Sequence, residues 1–153
     1  MPEKCKCDLY MKQIYSVFTY YQLITAIQIK NKLFPEADAD IVISDHSAGY
    51  EKAAEKVRES GIFDNVYTAK SVDAMRLDSF SKKLRRVADI VFYNNKFPLN
   101  CSDIEKLGYD EILFFNFNYF DNCLYYLLKK NNPDLICRRF EESYTSGFDF
   151  DIF

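Results

Sequence analysis

Tryptophan is absent from this 153-residue chain, histidine occurs once, and glycine and proline occur only four times each. A single histidine cannot provide the imidazole ligands of a catalytic zinc site, and Cys5 and Cys7 lie too close together for structural zinc motifs. We therefore expect no metal site. No apolar run reaches the ~20 residues of a membrane-spanning helix, and the polar first residues contain no signal-peptide core. These absences favour a cytoplasmic protein without a transmembrane segment.

The chain has no excess of positive charge. The formal net charge is −3, which disfavours a broad electrostatic surface for nucleic acid. Basic residues are dense in only one place, at Lys82, Lys83, Arg85 and Arg86. We expect no nucleic-acid partner, whereas a peripheral contact with the inner face of the membrane is compatible with the sequence.

Glycine is missing where nucleotide-binding folds need it. The first strand of the chain leads into Phe18-Thr19-Tyr20-Tyr21-Gln22, which contains neither a dinucleotide fingerprint nor a P-loop. A dehydrogenase-type nucleotide site is therefore not expected, and no bound cofactor is predicted. A response-regulator-like domain would need an acidic pocket at the end of this strand, and Phe18-Thr19 offers none.

Apolar and aromatic residues are abundant. Hydrophobic residues make up 48% of the chain, with 12 Tyr and 14 Phe, which is ample for one domain of this length. Because many aromatics lie in apparent strands, a core role is the first interpretation. A surface that a sugar or a partner covers is the second, and uncovered aromatics would favour a homo-oligomer.

Strand and helix patterns alternate along the chain. The predicted strands are 12–18, 39–44, 65–69, 89–93, 111–116 and 134–140. The predicted helices are 20–33, 50–60, 72–87, 101–107 and 121–130. Such alternation predicts an α/β fold, a Rossmann-like three-layer sandwich with a mostly parallel sheet. Residues 1–10 are expected to be an N-terminal extension, and residues 11–153 the domain.

In such a sheet, ligands bind beyond the carboxyl ends of the strands. At the first junction, Thr19, Tyr20 and Gln22 offer hydroxyl and amide groups that suit a sugar, although Thr19 also fits a plain helix cap. After the strongest strand, Asn116 and Asn118 suit hydroxyl-rich ligands and suit a turn equally well.

The second strand ends in Ser44-Asp45-His46-Ser47. A histidine at a strand end is able to act as a general acid or base, with Asp45 to orient it. A capping turn, in which Asp45 or Ser47 satisfies free amides, is the favoured interpretation.

Two adjacent carboxylates, Glu141 and Glu142, follow the last predicted strand. If that strand is buried, mutual repulsion and desolvation raise a pKa, and such a carboxylate is a candidate general base. The alternative is that both glutamates are solvated, or paired with Arg138 or Arg139.

Three segments together resemble a known family: Tyr-Ser-Val-Phe-Thr-Tyr-Tyr-Gln-Leu at 15–23, Asp-Ile-Val-Ile-Ser-Asp at 40–45 and Arg-Phe-Glu-Glu-Ser-Tyr-Thr-Ser at 139–146. They are similar to the amino-terminal half of bacterial sialyltransferases, namely glycosyltransferase family fifty-two and its lipooligosaccharide and capsular polysialyltransferase relatives. The resemblance spans about residues 11–146. It implies one half of a GT-B fold, in which two Rossmann-like domains enclose the active site.

The resemblance also implies roles for residues. The family carries an acidic pair followed by glycine, and the first acid is the general base that deprotonates the acceptor. Glu141 is that acid here, with Glu142 beside it, and Ser143 replaces the glycine. The first junction would belong to the acceptor side, so the expected acceptor-binding residues are Thr19, Tyr20, Gln22, Asp45, Asn116 and Asn118.

The family's second domain carries a His-Pro motif that binds the phosphate of a CMP-activated sugar, without a metal. No His-Pro occurs here, so a donor-binding domain is absent from this sequence. Two functions follow as expectations. The chain is the acceptor-side domain of a sialyltransferase-like glycosyltransferase in surface polysaccharide synthesis, inactive alone. Alternatively, it is a non-catalytic binding or assembly module with the same fold.

Overall fold

A computed structural model describes residues 11–71, 79–84, 104, 107–115 and 118–140. Its helices and strands are, in chain order, β1 (Lys12–Val17), α1 (Tyr20–Leu33), β2 (Asp38–Ser44), α2 (Tyr50–Ser60), β3 (Asn65–Ala69), β4 (Glu111–Phe114), α3 (Tyr119–Asn131) and β5 (Ile136–Arg139). In addition, residues 80–84 form a helical turn. The predicted strand 89–93 and most of the predicted helices 72–87 and 101–107 lie outside the described residues.

The five strands form one sheet in the order β3-β2-β1-β4-β5, and every neighbouring pair is parallel. Parallel neighbours need crossover connections, and α1, α2 and α3 provide three of them. The predicted α/β, Rossmann-like architecture with a parallel sheet is confirmed.

Helices cover both faces of the sheet. Because strand side chains alternate between faces, Tyr15 and Val17 pack with α1 and α2, whereas Ile14 and Phe114 pack with α3. All four of these side chains are almost fully buried. The central strand β1 is thus buried on both sides, as its run of β-branched and aromatic residues predicts.

Local signals set the ends of α1. Thr19 caps its first turn, and Lys30 Nζ donates to the backbone oxygens of Phe34 and Pro35 beyond its last turn. The predicted bounds 20–33 are confirmed.

The helical spacing of Leu23, Ile24, Ile27 and Leu33 in the sequence predicts one apolar face for this helix. That prediction was wrong in part, because Ile24 and Leu33 are 56% and 51% exposed. Ile24 lies on the opposite side of α1 from the stripe that packs on the sheet, whereas Leu33 lies on the side of that stripe but is the last residue of the helix.

The helix α2 also has its predicted bounds, 50–60, and β3 has its predicted bounds, 65–69. Gly61 ends α2 with φ of 65°, in the left-handed region that favours glycine. The sequence therefore identifies this stop correctly.

The last strand differs from its prediction. All four residues of β5 are exposed, although the sequence suggested a buried strand. β5 lies at one end of the described sheet and pairs only with β4. An edge strand has a neighbour on one side alone, which leaves its side chains open to solvent.

Candidate functional site

The order of the strands reverses between β1 and β4, since β2 and β3 lie on one side of β1 and β4 and β5 on the other. In open parallel sheets such a switch point is where ligands bind, beyond the carboxyl ends of the strands. We name this region the carboxyl edge. Its described residues are 18–22, 44–50, 114–115, 118–121 and 140.

The junction between β1 and α1 is held by its own side chains. The Gln22 backbone N–H donates to Thr19 Oγ1 at 3.2 Å, and the Phe18 N–H donates to Gln22 Oε1 at 2.7 Å. The capping interpretation of Thr19 is confirmed. Gln22 is fully buried, so in this structure it shapes the turn and presents no surface to a ligand. Its role in acceptor binding stays a prediction.

Two contacts join the first junction to the second. The Tyr20 hydroxyl donates to the Ala48 carbonyl at 2.6 Å, and Ser47 Oγ donates to the Phe18 carbonyl at 3.1 Å. Tyr20 remains 46% exposed. Of the predicted acceptor-binding residues that the structure describes, Tyr20 is the one classed as exposed.

A groove lies between these two junctions and encloses about 210 Å³, including space open to solvent. It is lined by Phe18, Thr19, Tyr20, Leu23, Ile43, Ser44, Ser47, Tyr50 and Ala53. Because most of this volume is open to solvent, the groove is a shallow surface depression rather than an enclosed ligand pocket.

Asp45 is directed at the end of β3. Its Oδ1 accepts the Ser71 backbone N–H at 2.8 Å and the Ser71 hydroxyl at 3.2 Å. The Ser71 and Ser44 hydroxyls are hydrogen-bonded to each other, and the His46 backbone N–H donates to Ser44 Oγ at 3.1 Å. Asp45 thus satisfies a free amide, as the favoured capping turn predicts, but the amide belongs to Ser71 rather than to α2.

Asn118 is the N-cap of α3, because its Oδ1 accepts the Asp121 backbone N–H at 2.9 Å. The turn interpretation is therefore confirmed for Asn118. Asn116 lies outside the described residues. Both of the capping side chains at the switch point, Thr19 and Asn118, fix the helix starts that frame it.

Sequence reasoning missed the carboxyl group whose pKa is most perturbed among the described residues. Asp121 is fully buried in the first turn of α3, and the Ser16 hydroxyl of β1 donates to its Oδ1 at 2.7 Å. Its Oδ2 has no hydrogen-bond partner. An available signal was Ser16, a polar residue in an otherwise apolar strand segment, which requires a partner when buried.

Burial raises the pKa of Asp121 from its ordinary 3.8 to about 7, since removal from water penalises the charged form. The Ser16 hydroxyl and the Asn118 backbone N–H act in the opposite direction and lower the pKa, because both favour the carboxylate. Asp121 is thus a group that changes charge near neutral pH at the switch point.

The described chain ends beside β4. The Phe140 N–H donates to the Phe114 carbonyl at 2.9 Å, and the Phe140 and Phe115 rings lie 6.0 Å apart. Glu141 and Glu142 follow Phe140 in sequence and lie outside the described residues. The premise that a buried strand desolvates them was wrong, because β5 is exposed. Their assignment as catalytic residues stays a prediction.

The residues before the acidic pair have partners of their own. Arg138 Nε donates to Glu111 Oε1 at 2.6 Å in an ion pair, and Glu111 Oε2 accepts from Gln13 Nε2 at 2.7 Å. Glu111 is fully buried and Arg138 is about half exposed. The suggested pairing of Arg138 with the glutamate pair therefore competes with an existing ion pair.

Within the described ranges, no three acidic, His or Cys side chains come together in a way that would hold a metal ion. None of the helices in the described part of the chain combines the length and apolar character of a membrane span. Comparison of the chain with protein-family models, curated proteins and solved structures gave no match.

Proposed function

We propose that this chain is the acceptor-side domain of a sialyltransferase-like glycosyltransferase, which acts with a donor-binding domain that holds a CMP-activated sugar. One observation carries the proposal. Because β5 is parallel to β4 and Phe140 pairs with Phe114, the residue immediately before Glu141 lies at the carboxyl edge. This is the edge of an α/β sheet at which ligands bind.

The groove supports a saccharide as the ligand. It combines aromatic rings, Tyr20 and Tyr50, with the hydroxyl-bearing residues Thr19 and Ser47. Sugar rings have apolar faces that pack on aromatic rings and hydroxyls that exchange hydrogen bonds with such groups. Because the groove is shallow, a bound saccharide would be covered mainly by a second domain.

The proposed chemistry needs a base on the acceptor side. Attack of an acceptor hydroxyl on the anomeric carbon releases its proton, and a positioned carboxylate that accepts the proton speeds the step by about 10²–10⁴. Glu141 is the proposed base and Glu142 its neighbour. The CMP phosphate leaves with the bonding electrons of the broken glycosidic bond, and the donor-binding domain would stabilise that charge.

A non-catalytic binding module with the same fold is the second candidate. The observation in its favour is that Thr19, Asp45 and Asn118 already donate to or accept from groups of this chain. A carboxyl edge whose polar side chains are already hydrogen-bonded within the chain would still bind a saccharide in the groove, without catalysing transfer of a sugar to it.

A transfer assay separates the two candidates. The chain is expressed together with a donor-binding domain, and transfer from a CMP-activated sialic acid to oligosaccharide acceptors is measured. We expect Glu141→Gln to lower kcat about a hundredfold or more, because the variant cannot accept a proton. The matched control is Glu59→Gln, which makes the same change at an exposed position of α2.

Three results are distinguishable. Loss of transfer in Glu141→Gln, with transfer retained in Glu59→Gln, supports the glycosyltransferase. Full activity of Glu141→Gln removes Glu141 as the base. Saccharide binding by the wild-type chain with no transfer to any acceptor favours the binding module.

A further inference from the structure

The strongest unassigned surface is the helical turn 80–84. Phe80 and Leu84 are 81% and 61% exposed and are four residues apart, so they lie on the same side of the turn. Phe80 is the most exposed large apolar residue in the described part of the chain. A phenylalanine and a leucine left in water at adjacent positions suggest a surface that something apolar covers.

The turn is locally well formed. Ser79 caps it, because Ser79 Oγ accepts the Lys82 N–H at 3.3 Å and the Ser79 carbonyl accepts the Lys83 N–H at 3.1 Å. These hydrogen bonds hold the backbone of the turn that carries Phe80 and Leu84.

Basic residues lie next to the apolar pair in sequence. Lys82 and Lys83 are exposed on the same turn, and Arg85 and Arg86 follow them in sequence. This is the only dense basic cluster in a chain whose net charge is −3. An exposed apolar stripe flanked by lysines and arginines is the pattern of helices that lie on anionic membranes, with the basic groups at the headgroups.

We propose that residues 80–84 form a peripheral docking surface for an anionic lipid bilayer. Phe80 and Leu84 enter the boundary between headgroups and acyl chains, while Lys82 and Lys83 remain at the phosphates. A second copy of this chain is a poorer occupant, because a symmetric contact would bring the lysines of the two copies together. The surface does not depend on the proposed sugar chemistry, since vesicle binding is measured without any saccharide.

Vesicle flotation tests the surface directly. The 153-residue chain is mixed with phosphatidylcholine vesicles, with or without phosphatidylglycerol. We expect binding to the anionic vesicles that weakens as salt is added, because the charge attraction is screened. Lys82→Gln with Lys83→Gln should weaken partitioning about 25-fold, given roughly a fivefold effect per basic residue near an anionic surface.

Matched variants control for charge and for apolar area. Leu84→Ser should lower partitioning roughly tenfold or more, whereas Leu33→Ser, at a leucine that is 51% exposed, should not. Likewise, Lys52→Gln with Lys56→Gln removes two charges from the exposed side of α2 and should leave binding nearly unchanged. All of these positions are exposed, so circular dichroism should show an unaltered fold.

Several outcomes would overturn the proposal. One is the absence of binding to anionic vesicles, and another is equal binding to neutral ones. Equal losses in the control variants would show that the effect is not local. A concentration-dependent oligomer that Phe80→Ser dissolves would assign the surface to contacts between copies instead.

Discussion

The Ser16 hydroxyl donates a 2.7 Å hydrogen bond to Oδ1 of Asp121 and so joins the central strand β1 to the first turn of α3. Both residues are buried, and they lie 105 positions apart in the chain. The contact connects the two elements on either side of the point where the strand order reverses. The protonation state of Asp121 therefore affects the stability of the carboxyl edge.

Asp121→Asn should alter the pH dependence of stability. The folded pKa of Asp121, about 7, exceeds its ordinary value of 3.8. The folded state therefore holds the proton more tightly, and the stability from this group is full below about pH 4 and is lost as the pH rises towards about 7. Asparagine cannot titrate, so relative to wild type the variant should gain up to about 4 kcal/mol across this interval.

Urea unfolding at a series of pH values measures this gain. Asp134→Asn removes the same charge from an exposed position and is the control. Parallel pH profiles of the wild type and Asp121→Asn would show that Asp121 does not titrate in this range.

Ser16→Ala should raise the pKa of Asp121 further. The hydroxyl favours the charged carboxylate, and its removal leaves Oδ1 without its donor. Loss of the bond should also cost about 1–3 kcal/mol of stability, with the larger cost at alkaline pH. NMR titration of the Asp121 carboxyl carbon measures the shift. In Ser47→Ala, whose hydroxyl donates to Phe18 instead, the titration should be unchanged.

Alanine substitutions at three glycines distinguish the stability cost of backbone strain from the cost of a side-chain contact. Gly49 has φ of 78°, and a Cβ there would lie 3.1 Å from the Tyr20 hydroxyl. Gly61 has φ of 65° and open space around it, while Gly108 has open space and no positive φ. Replacement by alanine should lower the free energy of unfolding by about 1 kcal/mol at Gly61 and by more at Gly49. At Gly108 the change should be smaller than about 0.5 kcal/mol in either direction.

Thermal unfolding of the three variants gives the order. Tyr20→Phe removes the hydroxyl, so Gly49→Ala in that background should cost about as much as Gly61→Ala. If Gly49→Ala costs the same with and without the hydroxyl, the contact between the two junctions has no influence there.

Arg138→Met should destabilise the chain more than Arg139→Met. Arg138 pairs with Glu111, which is fully buried, whereas Arg139 is an exposed residue of the same edge strand. Removal of Arg138 leaves the buried carboxylate with the Gln13 amide as its remaining side-chain donor. Because Arg138 is half exposed, we expect a moderate cost of about 2 kcal/mol. Equal unfolding midpoints for the two variants would contradict this.

Local signals made much of the fold predictable. Thr19 before α1, Pro35 after it and Gly61 after α2 act on their immediate neighbours, and the bounds of both helices follow from them. Alternation of strands and helices was sufficient for the parallel sheet.

The remaining features depend on residues that are distant in sequence. Adjacent Arg138 and Arg139 place a charge on each face of β5, which is typical of an edge strand, but the pairing of β5 with β4 depends on residues far away in sequence. Asp121 resembles an ordinary acidic residue in a first helical turn. Its unusual pKa arises only when α3 packs its first turn against β1.

A saccharide titration that is monitored by amide NMR is the most direct test of whether the carboxyl edge binds an acceptor. The chain is titrated with galactose-terminated and sialic acid-terminated oligosaccharides. We expect saturable shifts at the amides of Tyr20, Ser47 and Phe140, and none at Lys12 and Asp110, which are hydrogen-bonded to each other at the opposite end of the sheet. Shifts confined to that opposite end, or no shifts with any saccharide, would contradict the proposed acceptor site.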